Sequence, residues 1–194
     1  MAYVTLSSKA IGSTIKLKVN GSARNFIVVH QGKPSSVYDD SCNGTWLLMQ
    51  DIYENRAWHS SNTNDYANST IHSYLNSGTS TTVTSGSNGL SAKIFLLSAT
   101  ETSFDFSYMP SGEGAELAYF KGCADNSSDS KRVAYLNGSA TRWWLRSPYC
   151  SYFGCALVVS SHGVWSSSGF CSYSCGIRPA LILPSTLLVS DDGT

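Results

Sequence analysis

Apolar and polar positions first alternate over Thr14–Val19, "TIKLKV", where Ile15, Leu17 and Val19 fall on one side and Thr14, Lys16 and Lys18 on the other. That two-residue period predicts a half-buried strand, and Asn20-Gly21 supplies the turn into a return strand, "NFIVVH". After a loop rich in Gly, Pro, Ser and Asp, "TWLLMQDIY" predicts a more fully buried strand. Tyr66, Ser69, Ile71, Tyr74 and Leu75 follow; Ile71, Tyr74 and Leu75 fit one helix face, with Asn64 or Asp65 as the expected cap. Residues 78–89 are polar and of low complexity, a composition that predicts a flexible connection. "AKIFLLS" predicts another strand and "AELAYF" a short helix, "WWLRSP" lies in the densest aromatic stretch, and "GIRPALILP" is an apolar strand bounded by two prolines. Strands outnumber helices without alternating strictly with them. The expected fold is therefore one strand-rich α+β domain over residues 1–194, with one or two short helices, rather than a doubly wound sheet.

Charge narrows the function classes. Thirteen Lys and Arg balance thirteen Asp and Glu, and no basic block is present. Phosphate binding needs a positive footprint, so nucleic acid is not expected as a partner. The longest apolar runs, "FIVV", "IFLL" and "ALILP", are strand-sized, so no membrane insertion is expected. The first twenty residues hold no basic cluster followed by an apolar stretch, and no signal peptide is expected there.

The sharpest feature is residues 149–176, "YCSYFGCALVVSSHGVWSSSGFCSYSCG", which contain no Lys, Arg, Asp, Glu, Asn, Gln, Met, Thr or Pro. At the chain-wide charge frequency such a stretch arises by chance about one time in fifty. Tyr, Ser and Gly dominate, the mixture of adaptable binding loops. Apart from Trp165, every residue there has a codon ending in a pyrimidine, the set produced when the adenines of AAC or AAT codons are randomised. The alternative is a Ser/Gly-rich loop system held by two disulfides.

At these residues a resemblance enters. "NDYANSTIHSYLN", "AKIFLLSATE", "WWLRSP" and "GIRPALIL" occur in this order in a domain of unknown function, found in bacterial surface and phage tail proteins, that resembles the C-type lectin fold. The chain is similar to those members that look like variable proteins of diversity-generating retroelements, in which error-prone reverse transcription at adenines rewrites a C-terminal stretch. The resemblance implies a C-type-lectin-like fold, a variable region at about 149–175, and a diversified binding protein on a phage tail tip. It implies host-surface protein or glycan ligands, other tail proteins as partners, and synthesis in the host cytoplasm before release in the virion. A similar domain with a fixed ligand is the runner-up.

Other chemistries fit less well. Cys150, Cys155, Cys171 and Cys175 permit a zinc reading, but no tight two-residue knuckle is present. Formylglycine-generating enzymes share the architecture and work through Cys, yet a reactive thiolate needs a cationic or metal-bound setting that an uncharged stretch lacks. His162 is the only base there, while His30, His59 and His72 show no partner spacing. Arg142, Arg146 and Arg178 flank the aromatic segment and are expected to stack on Trp143 or Trp144, or to pair with a buried carboxylate. Asp39, Asp40, Asp51, Asp65 and Glu101 make no calcium-loop pattern. A non-enzymatic protein without metal or cofactor is expected.

Trp143, Trp144, Leu145, Leu157, Val159, Ile177, Ala180 and Ile182 are the expected core beneath the binding face. In "ALVVSSHGVW" a strand places Leu157, Val159, Ser161, Gly163 and Trp165 on one side, and Val158, Ser160, His162 and Val164 on the other. The second set is expected to point outward, joined by Tyr149, Ser151, Tyr152, Phe153, Ser166, Ser168, Phe170 and Tyr173 as ligand-binding residues. Tyr152, Phe153, Phe170 and Tyr173 are the expected anchors, because large side chains at a patch centre dominate affinity.

Overall fold

The computed structural model describes residues 3–77, 83–84, 94–123 and 126–190, and of 83, 84, 167 and 168 the backbone only. Most of the polar run at 78–89 lies outside the described residues. The strands are β1 (Tyr3–Thr5), β2 (Thr14–Val19), β3 (Ser22–Gly32), β4 (Gly44–Met49) and β5 (Glu54–Ala57). After the helix α1 (Thr70–Asn76) come β6 (Val83–Thr84), β7 (Ile94–Phe95), β8 (Tyr135–Leu136) and β9 (Ser139–Ala140). The last six are β10 (Trp143–Pro148), β11 (Cys155–Val159), β12 (Trp165–Phe170), β13 (Ser174–Ile177), β14 (Ala180–Leu183) and β15 (Leu188–Ser190). The strand-rich α+β expectation holds. "AELAYF" forms only a 3-10 turn, Ala118–Phe120, and among the described residues of "AKIFLLS" only the two of β7 are strand.

The β2–β3 hairpin forms as the alternation predicts, with Val19 opposite Ser22 and Asn20 and Gly21 at φ of 48° and 79°. Positive φ at both central residues matches the right-handed twist of the flanking strands. This hairpin enters a six-stranded sheet, β6-β2-β3-β4-β14-β7, and the second sheet runs β12-β11-β10-β13-β5. β1 and β15 pair antiparallel, bringing the two ends of the described chain together.

Three apolar clusters show how the sheets stack. Leu47, Met49, Leu17 and Val28 of the first sheet share a cluster with Trp144, Ala156 and Val158 of the second, closed by Ile71 and Leu75 of α1. The opposite face of the first sheet carries Trp46 and Leu48 against Leu117 and Phe120. The opposite face of the second carries Trp143, Leu145, Leu157 and Val159 against Ala99, Phe104 and Ala134. Successive residues of a strand point to opposite faces, and here both faces of β4, β10 and β11 are covered. Of the eight expected core residues seven are buried, but Ile182 is only half-buried, on the outer side of the first sheet.

The helix cap differs from expectation. Ser69, not Asn64 or Asp65, caps α1, its Oγ accepting from the His72 amide at 3.1 Å. Asp65 instead accepts from Asn68, and Asn64 is drawn into the window that begins at Tyr149.

Candidate functional site

The uncharged window is half core and half surface. Its β11 is buried from Cys155 to Val159, and Cys171 and Cys175 are buried as well. Val158, expected outward, is 1% exposed and packs in the cluster between the two sheets. The expectation of one wet face fails because β11 lies inside a sheet covered on both sides. Gly169 is fixed by the same packing, since a Cβ there would run into the Trp144 ring.

The other window residues fall into two groups at opposite ends of β11 and β12. Ser160, His162 and Val164 form the turn joining these strands, where Ser160 Oγ accepts from the His162 and Val164 amides at 3.3 and 3.2 Å. Ser160 and Val164 are half-buried, and His162 is exposed. At the other end, roughly 13 Å away along a five-residue strand, lie the loops at 149–154 and 171–173. The structure does not bring the turn and these loops together. Ser166 lies along β12 opposite Val158 and is half-buried, while the Ser168 side chain lies outside the described residues.

At the loop end the four expected anchors form one unbroken chain of ring contacts. Phe153 stacks on Tyr152 with centroids 5.6 Å apart and planes at 18°. Tyr152 meets Phe170 edge to face at 5.9 Å, and Phe170 meets Tyr173 at 5.3 Å. Phe153 is 75%, Tyr173 57% and Tyr152 48% exposed, whereas Phe170 is half-buried and joins them. Ser151 is exposed beside them, and half-buried Tyr149 contacts Tyr108 at 5.8 Å. Contacting rings hold one another's orientation, so they offer a preformed apolar surface rimmed by hydroxyls.

A segment missed in the sequence supports both loops. The His59 amide donates to the Cys171 carbonyl at 2.8 Å, and Asn62 Oδ1 accepts from the Ser172 amide and hydroxyl at 3.2 and 2.6 Å. Asn64 donates from its side chain to the carbonyls of Tyr149, Tyr152 and Cys155. "HSSNTN" carries no period or motif that announces this role, and the three residues meet their partners across 85 or more positions of chain.

The buried thiols of the window are not activated. Burial pushes the Cys171 and Cys175 thiols up to about 12 and raises that of Cys155. All six cysteines are free thiols, and Cys150 is exposed. Among the described residues no group of three or more His, Cys, Asp or Glu is placed to hold a metal ion.

Two of the three flanking arginines, Arg146 and Arg178, meet the expected partners. Arg146 of "WWLRSP" grips the fully buried Glu101 through two 2.6 Å hydrogen bonds, and Tyr38 donates to the same carboxylate at 2.8 Å. Burial opposes the Arg146 charge, but the Glu101 carboxylate outweighs it and the guanidinium is held charged. Arg178 lies 5.0 Å over Trp143 and donates to the Met49 carbonyl at 2.9 Å. Arg142 is exposed, and its carbonyl accepts from the Gly176 amide.

These features define a strand-rich α+β domain with an uncharged aromatic surface on loops between strands of its second sheet. The chain belongs to the family described as a domain of unknown function, DUF6273, whose model matches residues 77–185, from the end of α1 through β14. No curated protein and no solved structure matches it.

Proposed function

We propose that the protein is a diversified ligand-binding domain of C-type-lectin-like fold, carried on a phage tail tip, that adheres to host-surface protein or glycan through its C-terminal loops. One observation carries this reading: Phe153, Tyr152, Phe170 and Tyr173 form an unbroken, largely exposed aromatic surface inside a stretch of 28 residues without a charge. Apolar area of this kind, ordered before a partner arrives, favours association, because little side-chain freedom remains to be lost. The strand-rich α+β architecture, with one short α-helix among the described residues, supports the fold reading. The buried, protonated thiols favour binding over Cys catalysis. The function needs no metal or cofactor, and other tail proteins are the structural partners. Balanced charge argues against nucleic acid, and among the described residues no helix is long and apolar enough to cross a membrane.

The test is a comparison of sibling gene copies. Variation confined to pyrimidine-ending codons within about 149–175, beside an invariant template repeat, supports diversification. Variation spread evenly over the chain overturns it and leaves a fixed-ligand domain. For binding, fluorescently labelled protein is incubated with host cells, and the Tyr152→Ser, Phe153→Ser, Tyr173→Ser triple variant is expected to adsorb at least about tenfold less. Equal adsorption places the binding surface elsewhere.

A further inference from the structure

The loop at 149–155 closes on itself through three main-chain hydrogen bonds. The Tyr152 amide donates to Tyr149 O at 3.1 Å, the Cys155 amide to Tyr152 O at 3.1 Å, and the Tyr149 amide to Cys155 O at 3.0 Å. The three carbonyls of this ring are the three that receive Asn64 Nδ2, at 3.3, 3.3 and 2.9 Å. A carbonyl oxygen has two lone pairs, so each accepts once from its own loop and once from Asn64. An amide nitrogen carries only two hydrogens, so at least one is shared between two of the acceptors. The Asn64 main-chain amide adds a fourth contact, donating to Phe153 O at 2.9 Å. None of these bonds uses a side chain of residues 149–155.

We infer that Asn64 is a positioning residue that fixes the backbone of the 149–155 loop independently of the side chains the loop displays. The inference rests on the binding-face reading and explains how that face keeps its shape while its sequence changes. Peptide oxygens are the same whatever residue carries them, so Ser151, Tyr152 and Phe153 can be replaced without removing a bond of the ring or of its clamp. Their ring contacts then serve the surface, and the frame is held from a segment 85 or more positions earlier in the chain. Gly154 and Cys155 are outside this freedom: a Cβ at Gly154 would stand 2.8 Å from the Tyr152 ring and 3.3 Å from Asn62 Cβ, and Cys155 is buried.

Amide hydrogen exchange on the full chain, without any ligand, tests the inference. Asn64→Asp keeps the size of the side chain and removes its donors, so a residue that merely filled space would tolerate it. Exchange of the Tyr149, Tyr152 and Cys155 amides is expected to rise about tenfold or more, with Leu47 and Leu48 in β4 unchanged. In the Tyr152→Ser, Phe153→Ser double variant the same three amides are expected to stay within about threefold of the parent. Unchanged loop exchange in Asn64→Asp overturns the inference, as does loss of loop protection in the double variant. If Asn64→Asp does not fold, the double variant decides alone. Because loop order is read without a ligand, failure of host-cell adsorption counts against the binding face and leaves the clamp standing.

Discussion

Trp143 and Trp144 are adjacent in sequence, both 0% exposed, and sit in different apolar clusters on opposite faces of the second sheet. Each ring also has its indole N–H satisfied, Trp143 by Arg132 O at 2.9 Å and Trp144 by Arg56 O at 2.8 Å. Either Trp→Ala change is expected to cost about 3–5 kcal/mol in urea unfolding, through the cavity left behind. Trp165 is only half-buried, stacked on Phe106 at 4.1 Å, and its replacement by Ala should cost less than either.

Val158 and Tyr173 lie in one uncharged window and should respond oppositely to substitution. Val158→Asp puts a carboxylate into the cluster between the sheets and is expected to abolish folding or cost several kcal/mol. Tyr173→Ser, at a residue 57% exposed, should shift stability by about 0.5 kcal/mol. Thermal melting of both variants checks the contrast.

Arg146→Ala strands the Glu101 carboxylate, which is fully buried, and should cost about 3–5 kcal/mol. Arg146→Lys keeps the charge but not the two-pronged grip, so a smaller loss is expected. Chemical denaturation of the two variants side by side separates charge from geometry.

Thiol chemistry gives a readout of burial. Under iodoacetamide at mild alkaline pH, exposed Cys150 should label before Cys155, Cys171 and Cys175, with sites assigned by mass spectrometry. The folded thiols of Cys171 and Cys175 ionise at about 12, against an ordinary value of 9.0. Their contribution to stability is therefore complete below pH 9 and is lost as pH rises toward 12. The slope is at most about 1.4 kcal/mol per pH unit for each thiol. Urea midpoints of the parent and of Cys171→Ala across that range should show a shallower alkaline decline in the variant.

Features that depend on neighbours along the chain were readable from the residues alone. The alternation of Ile15, Leu17 and Val19 and the Asn20-Gly21 pair specify a hairpin, because side-chain direction and turn conformation are local steric matters. The missing charges of 149–176 and the large rings of Tyr152, Phe153, Phe170 and Tyr173 were likewise legible, since composition needs no fold to be read. What covers each face was decided only in three dimensions. Val158 reads as outward by the same alternation, yet the first sheet and α1 pack over it, and those elements come from residues up to about a hundred and forty positions earlier. Asn64 reads as a helix cap because Asn next to an apolar period is favoured there, but Ser69 takes that role and leaves its amide to the carbonyls of Tyr149, Tyr152 and Cys155. Arg146 and Glu101 are 45 positions apart and meet only when β10 lies against the segment after β7. Periodicity states which residues share a side, and only tertiary packing decides whether that side meets water, another sheet or a single amide.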